Sequence, residues 1–175
     1  MINDIVVLRN NLDKLDSIVE YLELEFVDDP LWEEPSNFSY LNDRDWANPD
    51  IVSNVEAMKK TNSFISWVGV DFEGYIGLWN GPENISCEKA PVVRLDKEGQ
   101  YRIVAKSIPD YIVISCERDD FIKNRDLLVS VGLRVSSSID EIWRSVNEIY
   151  THANDYRDRE YNNERINRGL AAIII

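Results

Sequence analysis

Histidine and cysteine are almost missing from this chain of 175 residues, which has one histidine, His152, and two cysteines, Cys87 and Cys116. A structural zinc site takes about four nitrogen or sulfur ligands, which this set cannot supply. With no G-x-S-x-G and one histidine on a helical stretch, no nucleophile with an imidazole base is in view. His152 reads as a surface or packing residue. The cysteines lack C-x-x-C spacing, and two reduced thiols are a simpler expectation than a disulfide. Long apolar runs are missing too: stretches such as "YIVI" (111–114) are too short to cross a membrane. Basic residues are scarce, 19 against 32 acids, for a net charge of −13. Such a field repels nucleic-acid phosphates and anionic lipid and speeds encounter with a basic protein, so the expected partner is a basic protein and not DNA, RNA or a membrane surface. The opening "MINDIVVLRNN" carries Asp4 and lacks the basic segment of a secretory signal, which makes a cytoplasmic location the expectation.

What is present is concentrated early. Residues 1–50 hold 13 acids and 3 bases, whereas residues 151–175 are neutral. Between Glu20 and Glu34 stand seven acids and no base, with Trp32 among them, and Asp43, Asp45 and Trp46 continue the theme. Aromatic anchors in a charged rim describe a protein interface; the alternative is a solubilising face with core tryptophans. The candidate partner-binding residues are Glu23, Glu25, Asp28, Asp29, Trp32, Glu33, Glu34 and Trp46.

Periodicity divides the chain into helices, then strands, then helices. Leu12, Leu15, Val19, Leu22 and Phe26 fall at helical spacing, with Asn11 as N-cap and Asp13 in the first turn. Residues 28–50 form a loop that Trp32, Phe38, Tyr40 and Trp46 order, and a short helix over 50–60 follows Pro49. Strands are expected at 63–70, 75–80, 90–96 and 100–105. Between the first pair and between the second stands one phrase, D-x-E-G, at 71–74 and 96–99. Its aspartates can accept from the turn's own amides, and Gly74 and Gly99 supply a positive φ, so the phrase marks two hairpins. Residues 107–115 read as strand or helix. A helix covers 118–132 with Gly132 as its C-cap, and Ser138 with Glu141 forms a capping box that opens a long helix. From Asp155 its apolar stripe is lost, so this end projects into solvent or frays. The tail "LAAIII" (170–175) packs back on the body or on a neighbour. The whole, residues 1–175, is expected to be one α+β domain, with a central antiparallel or mixed sheet of about four to six strands between N-terminal and C-terminal helices.

Carboxylate chemistry is the enzymatic alternative. Asp71 with Glu73, Asp96 with Glu98, or Glu83 with Glu88 could hold a metal, and Asp71, Glu73, Glu83 or Glu88 could converge as acid–base groups, but the acids of both D-x-E-G phrases already have a turn role. The glycines of "GVDFEGYIGLWNGPEN" do not cradle phosphate, because a strand and Pro82 follow them where a helix N-terminus is needed. Gly77 lets a neighbouring group approach closely. A third possibility is a stacking platform for a small ligand, since alternation puts Tyr75, Gly77 and Trp79 on one face, with Trp67 nearby.

Residues 64–113 carry Gly74, Tyr75, Ile76, Gly77 and Trp79 as G-Y-I-G-x-W, then Pro91, Val92, Val93, Asp96, Glu98 and Gly99 as P-V-V-x-x-D-x-E-G. This stretch resembles the SMI1/KNR4-like superfamily, also called SUKH. The 28–50 loop and the C-terminal helix lie outside the resemblance. It implies an α+β domain with no catalytic constellation; no metal and no cofactor are expected of this chain. Many bacterial members look like immunity proteins that neutralise polymorphic toxins, often nucleases. An acidic face suits such a role, since it can mimic the phosphates a nuclease binds.

Overall fold

The structure, a computed structural model, describes residues 3–27, 32–149 and 152–173. A five-stranded antiparallel sheet lies at its centre, in the order of the chain: β1 (Glu25–Phe26), β2 (Ile65–Val70), β3 (Gly74–Trp79), β4 (Val92–Asp96) and β5 (Tyr101–Ala105). The four longer strands are those that the alternation predicts. Helices α1 (Asn3–Arg9) and α2 (Leu12–Leu22) precede the sheet. Helices α3 (Asp43–Trp46) and α4 (Pro49–Asn62) stand between β1 and β2. After β5 come α5 (Ile108–Ser115), α6 (Phe121–Ser130), α7 (Ile139–Asn147) and α8 (Ala153–Asn167). The architecture is the expected α+β one, helices around a sheet.

Both faces of the sheet are covered, which is why its strands read apolar on both sides. On one face Val68, Ile76, Leu78, Val92 and Val104 meet buried aliphatics of α1, α2, α5, α6 and α7, among them Leu8, Leu22, Ile112, Leu128 and Ile142. On the other, Ile65, Trp67, Trp79, Val93, Leu95 and Tyr101 meet Met58 of α4 and Ala153 and Tyr156 of α8. Trp67 and Val68, consecutive in β2, point to the second and the first face respectively, and the register with β3 shifts between Trp67 and Gly69. Gly77 does the work foreseen for it, since a Cβ there would collide with the Ile65 and Trp67 side chains.

Several expectations are corrected. Helix α2 stops at Leu22 because Glu23 takes left-handed backbone, φ 50, and the Leu24 amide donates to the Val19 carbonyl at 3.0 Å. Phe26 therefore lies in β1, and Ile18 is buried in α2 while Leu12 is exposed. Asn11 occupies the N-cap position, but its side chain makes no capping bond. Residues 3–9, to which the periodicity assigned nothing, form α1 with Ile5 and Leu8 buried. The ambiguous 107–115 is helical: the Ser107 hydroxyl accepts from the Asp110 amide, and Pro109 sits in the first turn. The helix expected from Ser138 onward is two helices, and α8 does not project. Tyr156 stands edge-on to Phe64, with ring centroids 5.3 Å apart, and Lys60 of α4 reaches Glu164 at 2.8 Å and Glu160 at 3.2 Å. The Tyr161 hydroxyl donates to Asp50 at 2.7 Å, and Arg165 pairs with the same carboxylate. Polar pairing holds α8 where an apolar stripe was sought. Residues 170–173 fold back on α8 through the Asn162 amide, which bonds both the N–H and the carbonyl of Ile173. Ile173 itself is exposed.

The glycines of the two D-x-E-G phrases serve different needs. Gly99 has φ +78, the left-handed conformation expected of it. Gly74 is more extended, at φ +156, and is needed because a Cβ would strike the Leu95 carbonyl of β4. Gly132 has φ +95 with nothing near its missing Cβ. Gly74→Ala should thus lower stability by about 2–3 kcal/mol, and Gly132→Ala by only about 1 kcal/mol. Urea unfolding of both variants checks the order, and an equal loss would contradict the backbone clash.

Candidate protein-binding site

The meander places both D-x-E-G turns side by side at one end of the sheet, since Gly74 pairs with Asp96 across β3 and β4. Each aspartate caps its own turn as the sequence indicates. Asp71 Oδ1 accepts from the amides of Glu73 at 2.8 Å and Gly74 at 3.0 Å, and Asp96 Oδ1 from those of Glu98 at 3.0 Å and Gln100 at 2.9 Å. Asp71 has a second bond: its Oδ2 accepts from the hydroxyl of Tyr111 on α5. Tyr111 and Asp71 are both buried.

The segment 32–42 lies over these turns. Trp32 packs edge-on against Tyr75, with centroids 5.3 Å apart and an interplanar angle of 73°. Pro35 is buried and its carbonyl accepts from Asn62 Nδ2 at 2.9 Å, while Asn62 Oδ1 accepts from the Tyr101 hydroxyl at 2.7 Å. Phe38 is buried, whereas Tyr40 is 75% exposed. Between this segment, α4 and the two turns lies a cleft of about 510 Å³. Its walls include Glu34, Phe38 and Tyr40 from the segment, Met58 from α4, Tyr75 from β3, Glu98 from the second turn and Arg157 from α8.

The candidate partner-binding residues divide into four groups. Glu23, Glu25, Glu33 and Glu34 are exposed around this end of the sheet. Glu23 adjoins the first turn, where the Phe72 amide donates to the Leu22 carbonyl, Glu25 stands opposite Val70, and Glu34 lines the cleft with its carboxylate 3.3 Å from Asn37 Nδ2. Trp32 is half-buried and packs against Tyr75, which anchors the segment to the sheet. Trp46 is exposed but outside the cleft lining, on α3, with Lys59 Nζ 5.7 Å from its ring centroid. Asp28 and Asp29 lie outside the described residues.

The alternative constellations come apart. Asp71 faces inward to Tyr111, Glu73 pairs with Arg94, and Glu83 and Glu88 are exposed in the connection from β3 to β4. Among the described residues no three His, Cys, Asp or Glu side chains are grouped to hold a metal. Trp67 and Trp79 are 7% and 1% exposed, so they are core and offer no stacking platform. His152 is exposed. Both cysteines are free, as expected, and burial pushes the Cys116 thiol up to about 11, which makes it a poor nucleophile. Sequence reasoning singled out neither Tyr40 nor Glu98 for this site. The recurring D-x-E-G phrase was the signal that could have found the cleft, because consecutive hairpins in a meander bring their turns together.

Comparison with protein-family models, curated proteins and solved structures returns no match. Among the described residues no helix is long and apolar enough to cross a membrane.

Burial raises the pKa of Asp71 above its ordinary 3.8, against the opposing pull of the Gly74 amide and the charges of Arg94 and Lys97. The folded chain therefore binds this proton more tightly than the unfolded one. The contribution of Asp71 to stability falls as pH rises from the unfolded value through the raised folded one. The stability of the natural chain minus that of Asp71→Asn, measured by urea unfolding at a series of pH values, should decline over that interval. A flat or rising difference would show that burial does not dominate. Tyr111→Phe should cost about 1–3 kcal/mol at neutral pH, because it leaves a buried carboxylate oxygen short of a donor.

Proposed function

We propose that this chain is a non-enzymatic protein-binding domain of the immunity-protein type, which neutralises a basic toxin domain, such as a nuclease, in the cytoplasm. The observation that carries this reading is the state of its acids. Glu23, Glu25, Glu33, Glu34 and Asp43 are exposed, and among the described residues none of them has an ion-pair partner. Several acids elsewhere are matched, Glu160 and Glu164 by Lys60, Asp50 by Arg165, Glu73 by Arg94, and Glu148 by Lys106, while unmatched ones such as Glu83, Glu88, Glu98 and Glu117 are spread over later parts of the chain. Crowded unmatched charge of one sign disfavours the compact chain by self-repulsion, and it accelerates capture of an oppositely charged surface.

The backbone at Glu23 adds to this. Left-handed conformation at a helix C-terminus favours glycine, and a glutamate there costs about 1 kcal/mol. A strained residue that is also an exposed acid on the acidic rim fits a residue kept for contact. The resemblance of residues 64–113 to SMI1/KNR4-like proteins supports the same class of function.

The partner to test is the toxin domain encoded by the adjacent gene, with its association rate measured at several salt concentrations and its toxicity scored in cells expressing this chain. Changing Glu23, Glu25, Glu33 and Glu34 together to Lys should slow association at low salt by about 10- to 1,000-fold and abolish protection, while helical content stays the same. Unchanged association would end the acidic-surface reading. Glu23→Gly gives a second, sharper outcome. It should raise stability by about 1 kcal/mol yet weaken capture, a combination that unfolding cannot produce.

A further inference from the structure

The cleft over the paired turns has the makeup of a receptor for a cation. Four carboxylates line it, those of Glu34, Asp71, Asp96 and Glu98, against two cations, Lys97 and Arg157. Arg157 is already engaged on its own helix, with Nε 3.0 Å from Asp158 and Nη2 donating to Asn154 at 3.2 Å. Asp71 and Asp96 are occupied by turn amides, which leaves Glu34 and Glu98 without an ion-pair partner among the described residues, where the Glu34 carboxylate accepts from the Asn37 side-chain amide. The apolar walls are aromatic. Phe38 and Tyr40 have ring centroids 6.3 Å apart, and Tyr75 lies on the sheet side. The field of Glu34 reaches Tyr75, where after burial it is the next cause that raises the phenol pKa.

Aromatic faces beside carboxylates attract a planar, weakly hydrated cation, which can stack on a ring while its N–H groups meet the oxygens. We infer that this cleft is a socket for an arginine side chain of the basic partner, with Tyr40 as the stacking ring and Glu34 and Glu98 as acceptors. The inference rests on the reading of the chain as a binder of a basic protein and gives that binding a point of specificity. The exposed rim steers encounter, and the cleft selects a guanidinium. Its volume of about 510 Å³ exceeds what one side chain needs, so flanking backbone of the partner can enter with it. Tyr40 is exposed, and among the described residues its ring neighbour is Phe38 alone, an arrangement that leaves a ring face open to a ligand.

A small probe tests the socket without any partner protein. Acetyl-arginine amide, titrated into the whole chain, should shift the backbone amide resonances of Gly74, Gly99 and Gln100 in a saturable way. Acetyl-citrulline amide, which has nearly the same shape and no charge, should bind at least about fivefold more weakly. Tyr40→Ala and Glu34→Gln should each raise the half-saturating concentration of the arginine probe about fivefold, and both sites are exposed enough for the variants to fold. Absence of a saturable shift at those amides, equal binding of the citrulline probe, or no effect of Tyr40→Ala would each overturn the socket. Failure of the toxin experiment leaves the titration as it is, and failure of the titration leaves capture by the acidic rim standing, so the two proposals fall separately.

Discussion

The carboxylate of Asp71 joins two parts of the chain that lie 40 residues apart. One oxygen closes the first hairpin turn, and the other accepts from Tyr111, which belongs to a helix on the aliphatic face of the sheet. The turn end of the meander is thereby fixed to the core behind it. The second turn then follows, because Gly74 approaches β4 so closely that its backbone register with Asp96 admits no side chain. The cost is a charged group under cover, partly offset by the two turn amides, the Tyr111 hydroxyl and the nearby charge of Arg94. A floor built this way is rigid, and the segment 32–42 can be laid over it by few contacts: Trp32 on Tyr75, and Asn62 held between Pro35 and Tyr101.

The two faces of the sheet are packed by different physics. On one, aliphatic side chains from five helices make a core of the ordinary kind. On the other, α8 brings Ala153 as its one buried residue and docks through rings and charges. Tyr156 meets both Phe64 and Trp79, and Lys60 takes two carboxylates at once, of which Glu164 contributes most to holding its pKa above the ordinary value. Surface ion pairs are individually worth about 0–1 kcal/mol, so the tyrosines carry much of this docking and the charges set its register. The neutrality of residues 151–175 goes with this packing: Glu160, Glu164 and Arg165 are spent on α4, while Glu23, Glu25, Glu33 and Glu34 of the first third have no such opposite among the described residues.

Strands, turns and caps were legible because their signals are local. The twin D-x-E-G phrases, Gly77 and the Ser138 cap each follow from a few adjacent residues and the geometry those residues demand. What was not legible depends on partners distant in the chain. Phe26 kept helical spacing with α2, but a left-handed Glu23 ended the helix first, and no residue type announces that conformation in a glutamate. Trp67 and Trp79 alternate as a surface platform would, yet α8 covers their face, and the acids and bases of α8 gave no apolar stripe to show it. Of the candidate site, the acidic rim was visible as composition. The cleft was not, because it needs the adjacency of two turns and the fold of a loop over them.

The acids of the N-terminal third lie where the structure offers least to neutralise them. A sheet whose turns meet at one end leaves amides and side-chain oxygens there, and the bases Arg94 and Arg157 are turned to Glu73 and Asp158. Adding Glu23, Glu25, Glu33 and Glu34 to that end raises its negative potential further, at the expense of repulsion and of a strained backbone at Glu23. A solubilising surface needs no such concentration, since scattered charge keeps a chain soluble with less repulsion. Concentration becomes useful when the potential must act at a distance on one particular surface. In that arrangement the aromatic cleft beside the acids acts only at contact, after the field has brought the partner close.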